Sequence, residues 1–84
     1  MDRLDAINAF AAVADAGSFT HGARGLGVSA GQVSKLVARL ENRLGARLLN
    51  RTTRDVSLTD TGRAYLERAR QLLEDFQALE SSVS

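Results

Sequence analysis

The sequence predicts a mainly α-helical fold: three helices forming a core, a two-stranded flap, and one long closing helix. Three observations predict it. Apolar residues recur at helical spacing in four separate stretches. Ser18, Ser29 and Thr59 each stand just before such a stretch, where a short hydroxyl side chain can cap the first turn. Only residues 47–58 alternate in the manner of a strand. At 84 residues the chain suggests one small domain with a modest core.

The first helix spans residues 3–16. Leu4, Ile7, Phe10, Ala11 and Ala14 share one face, and Asp2 and Asp5 sit at the positive end of its dipole. Gly17 stops it, because glycine accepts the left-handed conformation that follows a helix. Ser18 caps the second helix, residues 19–26, whose Phe19, Ala23 and Leu26 face inward. Gly22 and Gly25 inside it each cost about 1 kcal/mol relative to alanine. Either packing holds this helix despite them, or another backbone approaches closely at those points.

Ser29 caps the third helix, residues 30–44, and Gln32 three places later completes a capping-box pattern. Val33, Leu36, Val37, Leu40 and Leu44 form its apolar stripe, and Gly45 ends it. The other side presents Ala30, Gly31, Ser34, Lys35, Ala38 and Arg39, small and polar at the leading end. Two helices joined at Gly27, with Ala23 as the small contact and Val33 and Leu36 as anchors, form the pattern of a helix-turn-helix. That device lays its second helix in the DNA major groove.

In residues 47–58, RLLNRTTRDVSL, Leu48 and Leu49 lead in and Val56 and Leu58 alternate with Ser57. The tip, Asn50 to Asp55, is polar and basic, as in a wing. Thr59 caps a last helix, residues 60–82, with Asp60 in its first turn. Tyr65, Ala69, Leu72, Phe76, Leu79 and Val83 are spaced as a heptad seam, broadened by Leu66 and Leu73. Such a seam has too few partners in so short a chain, so a second copy is the expected partner. The alternative is that the seam packs entirely on the first helix.

Composition narrows the function. The chain has no cysteine and a single histidine, His21, so thiolate metal sites and disulfides are excluded. No carboxylate cluster suggests acid–base work, and neither an enzyme nor a cofactor is expected. No apolar run approaches the roughly 20 residues that cross a bilayer, and the N-terminus lacks a signal-peptide profile. A cytoplasmic protein is expected. The net charge is only +1, yet Lys35, Arg39, Arg43, Arg47, Arg51 and Arg54 face Glu41 alone within residues 35–54. That segment carries +5 and the remainder −4. Positive charge gathered this way attracts phosphate without a high overall pI. At least one of Arg39, Arg43 and Arg47 is expected to pair with Glu41 or with the acidic last helix. Gln32 has two readings, cap of its own helix or reader of an adenine edge. Ser34 bonds a phosphate or fills space, and Lys35 can donate to guanine acceptors.

The stretches FAAVADAGSFT, LGVS, QVSKLVARLE, RLGARLL, RTTR and VSLTDTGRAYL resemble, in order and without gaps over roughly residues 4–70, the N-terminal domain of the LysR-type bacterial transcriptional regulators. The resemblance implies a winged helix-turn-helix over 1–59 and a linker and dimerisation helix over 60–84. The family's C-terminal effector domain is absent from these residues. It implies sequence-specific binding to pseudo-palindromic double-stranded promoter DNA by a homodimer, with higher oligomers in an intact regulator, beside the bacterial nucleoid. By position, Ser29, Ala30, Gly31, Gln32, Ser34 and Lys35 match the groove-entering start of the recognition helix. Arg51, Thr52, Thr53 and Arg54 match the wing, which reaches phosphates or the minor groove. Tyr65, Ala69, Leu72, Phe76, Leu79 and Val83 fall on the dimer helix. The family often has Gln where Ala30 stands, Pro or Ser at Gly31 and Arg at Lys35, so a base-reading amide is missing. His21, Gly22 and Gly25 also depart from the family's small or polar residues. The alternative function is a winged-helix module that docks or dimerises without touching DNA.

Overall fold

A computed structural model describes residues 3–52 and 56–83; Asp2, Thr53, Arg54 and Asp55 lie outside the described residues. The chain runs α1 (Arg3–Ala16), α2 (Phe19–Leu26), α3 (Ala30–Leu44), β1 (Leu49–Arg51), β2 (Val56–Leu58) and α4 (Asp60–Ser81). This is the expected winged helix-turn-helix followed by a long helix.

Local capping sets the helix starts. The Ser18 hydroxyl accepts from the His21 amide at 3.1 Å, and Thr59 Oγ1 accepts from the Gly62 amide at 2.9 Å. At α3 the box is complete: Ser29 Oγ accepts from Gln32 N–H and Gln32 Oε1 accepts from Ser29 N–H, both at 3.1 Å. Reciprocal caps of this kind satisfy two amides that a helix start otherwise leaves unpaired. Gly27 ends α2 at φ +73°, a conformation that costs a residue with a Cβ. Its amide and that of Val28 return to carbonyls of the last turn, which makes the corner tight.

Phe10 and Val13 of α1, Val33, Val37 and Leu40 of α3, and Leu48 and Leu49 where the wing begins are fully buried. Burying an aliphatic or aromatic side chain of this size stabilises by about 1.5–3 kcal/mol. Ala6, Ala9, Ala11, Ala23, Leu36 and Leu66 complete the cluster. Leu44 does not join the α3 stripe. It is the last residue of the helix, one turn past Leu40, and is 42% exposed.

The two helical glycines of α2 differ. A Cβ on Gly22 would lie 2.9 Å from the Cα of Val13, so α1 and α2 touch backbone to backbone there. Gly25 has no heavy atom within 4 Å of that position, and the packing of α1 on α2 does not require it. A closer approach still occurs at Gly62, where a Cβ would fall 2.0 Å from the Leu48 carbonyl oxygen.

The strands pair antiparallel with Leu49 opposite Leu58, Asn50 opposite Ser57 and Arg51 opposite Val56. The α4 seam divides. Ala69 and the flanking Leu66 are buried and Tyr65 packs edge-on against Phe10, with ring centroids 5.7 Å apart. Leu72, Phe76, Leu79 and Val83 are exposed. Among the described residues no helix is long and apolar enough to cross a membrane.

Candidate nucleic-acid interface

The leading end of α3 stands clear of the core. Ser29, Gly31, Gln32 and Lys35 are exposed, and Ala30 and Ser34 are half-buried. Side chains here are short, and around Gly31 there is open space, the nearest atom to a Cβ being Ser29 Oγ at 3.9 Å. A surface as broad as a nucleic-acid groove can therefore meet the backbone of this turn. Lys35 and Arg39, one turn apart on α3, are both exposed. The Gln32 amide oxygen is committed to the cap, and its nitrogen retains two donors for another acceptor.

The wing begins on a clamp that sequence reasoning missed. Glu41 Oε2 accepts from the Leu48 amide at 2.7 Å and from the Leu49 amide at 3.2 Å. The Thr59 amide donates to the Leu48 carbonyl at 3.0 Å, and the Thr59 hydroxyl donates to the Arg47 carbonyl at 2.7 Å. Both ends of the flap are thereby tied to the helices beside it. The signal for Glu41 was present: it is the lone carboxylate of the basic segment 35–54.

The expected pairing of Glu41 with Arg39, Arg43 or Arg47 is corrected. Among the described residues its cationic partner is Arg51, 3.9 Å away across the wing base. The Arg51 side chain reaches back from the end of β1 to the helices, whereas Arg39, Arg43 and Arg47 are exposed. The acidic α4 does take part in an ion pair, but from its own Arg70 to Asp15 of α1. Arg43 lies near enough to Tyr65 to favour its ionised form. Burial outweighs this and holds the phenol above its ordinary pKa.

Of the residues expected at the interface, the structure gathers Ser29, Ala30, Gly31, Gln32, Ser34 and Lys35 on one end of α3. Arg51 and Thr52 stand on the adjacent wing, and Thr53 and Arg54 lie outside the described residues. Arg51 donates from Nη1 to Ser34 Oγ at 3.2 Å, and its guanidinium carbon lies 4.5 Å from the centre of the Phe19 ring. The starts of α2 and α3 and the end of β1 are thus joined through Arg51.

The family described as "Bacterial regulatory helix-turn-helix protein, lysR family" matches residues 4–63. The chain belongs to the LysR family. An HTH-type transcriptional repressor of Pseudomonas aeruginosa is 48% identical over 83 residues, 99% of this chain and 26% of that protein. The HTH-type transcriptional activator AaeR of Escherichia coli is 43% identical over 77 residues, 92% of this chain and 25% of that protein. This LysR-family chain therefore spans about a quarter of the length of the relatives it matches, which are transcriptional regulators of both signs. Among solved structures, the BenM_DBD/catB site 1 DNA complex superposes with a TM-score of 0.92 at 31% identity, covering 99% of this chain and 91% of that one. The CbnR_DBD–DNA complex gives 0.90 at 35% identity, covering 99% and 94%.

Proposed function

We propose that this LysR-family chain binds double-stranded promoter DNA, sequence-specifically and as a homodimer. The leading end of α3 enters the major groove and the wing lies on the backbone or in the minor groove. The observation that carries the reading is the exposed, small-residue start of α3, flanked by Lys35 and Arg39 and continuous with the wing. Two of the structures that superpose over nearly the whole chain are themselves DNA complexes. Lysine and arginine orient the protein on phosphate, and side chains at the helix start read base edges. Ser29, Ala30, Gly31, Gln32, Ser34 and Lys35 form the proposed groove contact, with Thr52, Thr53 and Arg54 on the wing; Arg51, expected among the wing contacts, is directed instead toward Phe19, Ser34 and Glu41. The role is recognition and not catalysis, and a promoter-binding role places the protein in the bacterial cytoplasm with the nucleoid.

The division into a DNA-binding unit, residues 1–59, and a dimerisation helix, residues 60–84, follows the same reading. Leu72, Phe76, Leu79 and Val83 continue the α4 seam past the point where the core covers it, and a second copy supplies the missing cover. Two subunits set the separation of two half-sites on a pseudo-palindrome.

Fluorescence anisotropy with labelled duplex across a salt series tests the reading. Binding should fall steeply with salt as counterions are released. Lys35→Ala should cost about 1–3 kcal/mol and relax preference at one base pair. Arg54→Ala should weaken all sequences alike and lower the salt slope by about 1. A dimer that binds no duplex at low salt would instead be a docking module.

A further inference from the structure

The geometry points to Arg51 as a positioning residue, one that locks the wing to the recognition helix rather than neutralising a phosphate. This rests on the DNA-binding reading above. Its guanidinium meets three groups from two helices at once: the Phe19 ring face at 4.5 Å, Ser34 Oγ at 3.2 Å and Glu41 Oε1 at 3.9 Å. Only 35% of the side chain is exposed, although the residue lies in a polar, basic flap.

A planar guanidinium can stack on a ring and donate in its own plane at the same time, which an ammonium cannot. The partners exploit both properties. Phe19 belongs to the first turn of α2 and Ser34 to the exposed start of α3, next to Lys35. Glu41 also holds the Leu48 and Leu49 amides that open β1. A chain of contacts therefore runs from Ser34 through Arg51 and Glu41 to the base of the wing. It fixes the offset between the flap and the helix start. Ser34, whose hydroxyl accepts from Arg51, then serves to align this offset as well as to face the groove.

The test uses two duplexes: one selected by the wild-type chain from a random library, and one of scrambled sequence. Arg51→Gln should weaken binding to the selected duplex about tenfold or more, the scale of a lost charge-assisted hydrogen bond. The salt slope on the scrambled duplex should stay at the wild-type value. Arg51→Lys should not restore affinity, and adding Ser34→Ala to Arg51→Gln should cost little more than the worse single change. A slope reduced by about 1, with rescue by lysine, would make Arg51 a phosphate contact and overturn the proposal. Should Arg51→Gln fail to fold by circular dichroism, Phe19→Leu removes the ring face and leaves the charge; it should give the same selective loss at an unchanged slope. Wild-type protein that binds neither duplex refutes the DNA reading alone. In that event the amide resonances of Ser34 and Lys35 in free Arg51→Lys decide: displaced, they uphold the coupling; unmoved, they refute it.

Discussion

The two halves of α4 carry the same heptad pattern and meet opposite surroundings. From Asp60 to Ala69 the helix is a core element. Gly62 lets it sit against the Leu48 carbonyl, Leu66 enters the main cluster, and Tyr65 meets Phe10. From Leu72 onward the seam faces out, with Leu72 at 49% and Leu79 at 62% exposure. Arg70, paired with Asp15 of α1, marks the crossing from one regime to the other. The difference shows that a heptad seam states an appetite for burial and not the identity of what satisfies it. In the first half the chain's own α1 and wing base answer it; in the second half the start of α1 (Leu4, Asp5 and Asn8) borders an open cleft with Leu73 and Phe76 and leaves Leu72, Phe76, Leu79 and Val83 exposed.

The sharpest way to break this comparison is to truncate one leucine in each half. Leu66→Ala should destabilise by about 2–5 kcal/mol, because it empties a packed site whose walls relax only in part. Leu79→Ala should leave the unfolding free energy of the monomer nearly unchanged, since its side chain touches little. Urea unfolding at concentrations low enough to keep the protein monomeric measures both. Equal costs would mean that the outer half is covered within the protomer after all.

Phe76→Asp should act on association and not on folding. A carboxylate in an apolar seam between two copies would be buried without a partner, which is costly. The dimer dissociation constant should rise more than about tenfold, the effect of only 1.4 kcal/mol. Sedimentation of wild type and variant over a concentration series reads it directly. An unaltered dimer would remove Phe76 from the seam, and with it the outer half's proposed purpose.

What was legible in the sequence follows the same line between local and distant causes. Ser18, Ser29 and Thr59 were readable as caps because each bonds an amide three residues ahead, inside one stretch of sequence. The helix ends were readable at Gly27 and Gly45 for the same reason. The wing was readable from the alternation of Val56, Ser57 and Leu58 and from the family resemblance. What stayed hidden needed a distant partner. Gly22 and Gly25 look alike in sequence, and only the arrival of Val13 separates a required glycine from an unconstrained one. The arginines of the basic segment are likewise equivalent on paper. Arg51 differs because folding brings Phe19, Ser34 and Glu41 around it. Periodicity alone gives the two halves of the seam the same appearance, since it cannot say where neighbouring elements end.

Tyr65 offers the smallest effect and the finest test of the buried half. Its phenol is held above its ordinary pKa, first because burial disfavours the phenolate and despite Arg43, which favours it. A raised folded-state value means that the folded protein prefers the neutral phenol. The contribution is therefore fully present below the unfolded-state pKa, about 10, and is lost as pH climbs through the folded-state value. Tyr65→Phe keeps the ring against Phe10 and removes the ionisation, so its stability relative to wild type should be flat at neutral pH and improve above about 10. Arg43→Gln should push the phenolate absorbance transition to still higher pH, because the opposing guanidinium is gone. A Tyr65 titration unmoved by Arg43→Gln would mean that the guanidinium does not act on the ring and that burial alone sets the phenol's pKa.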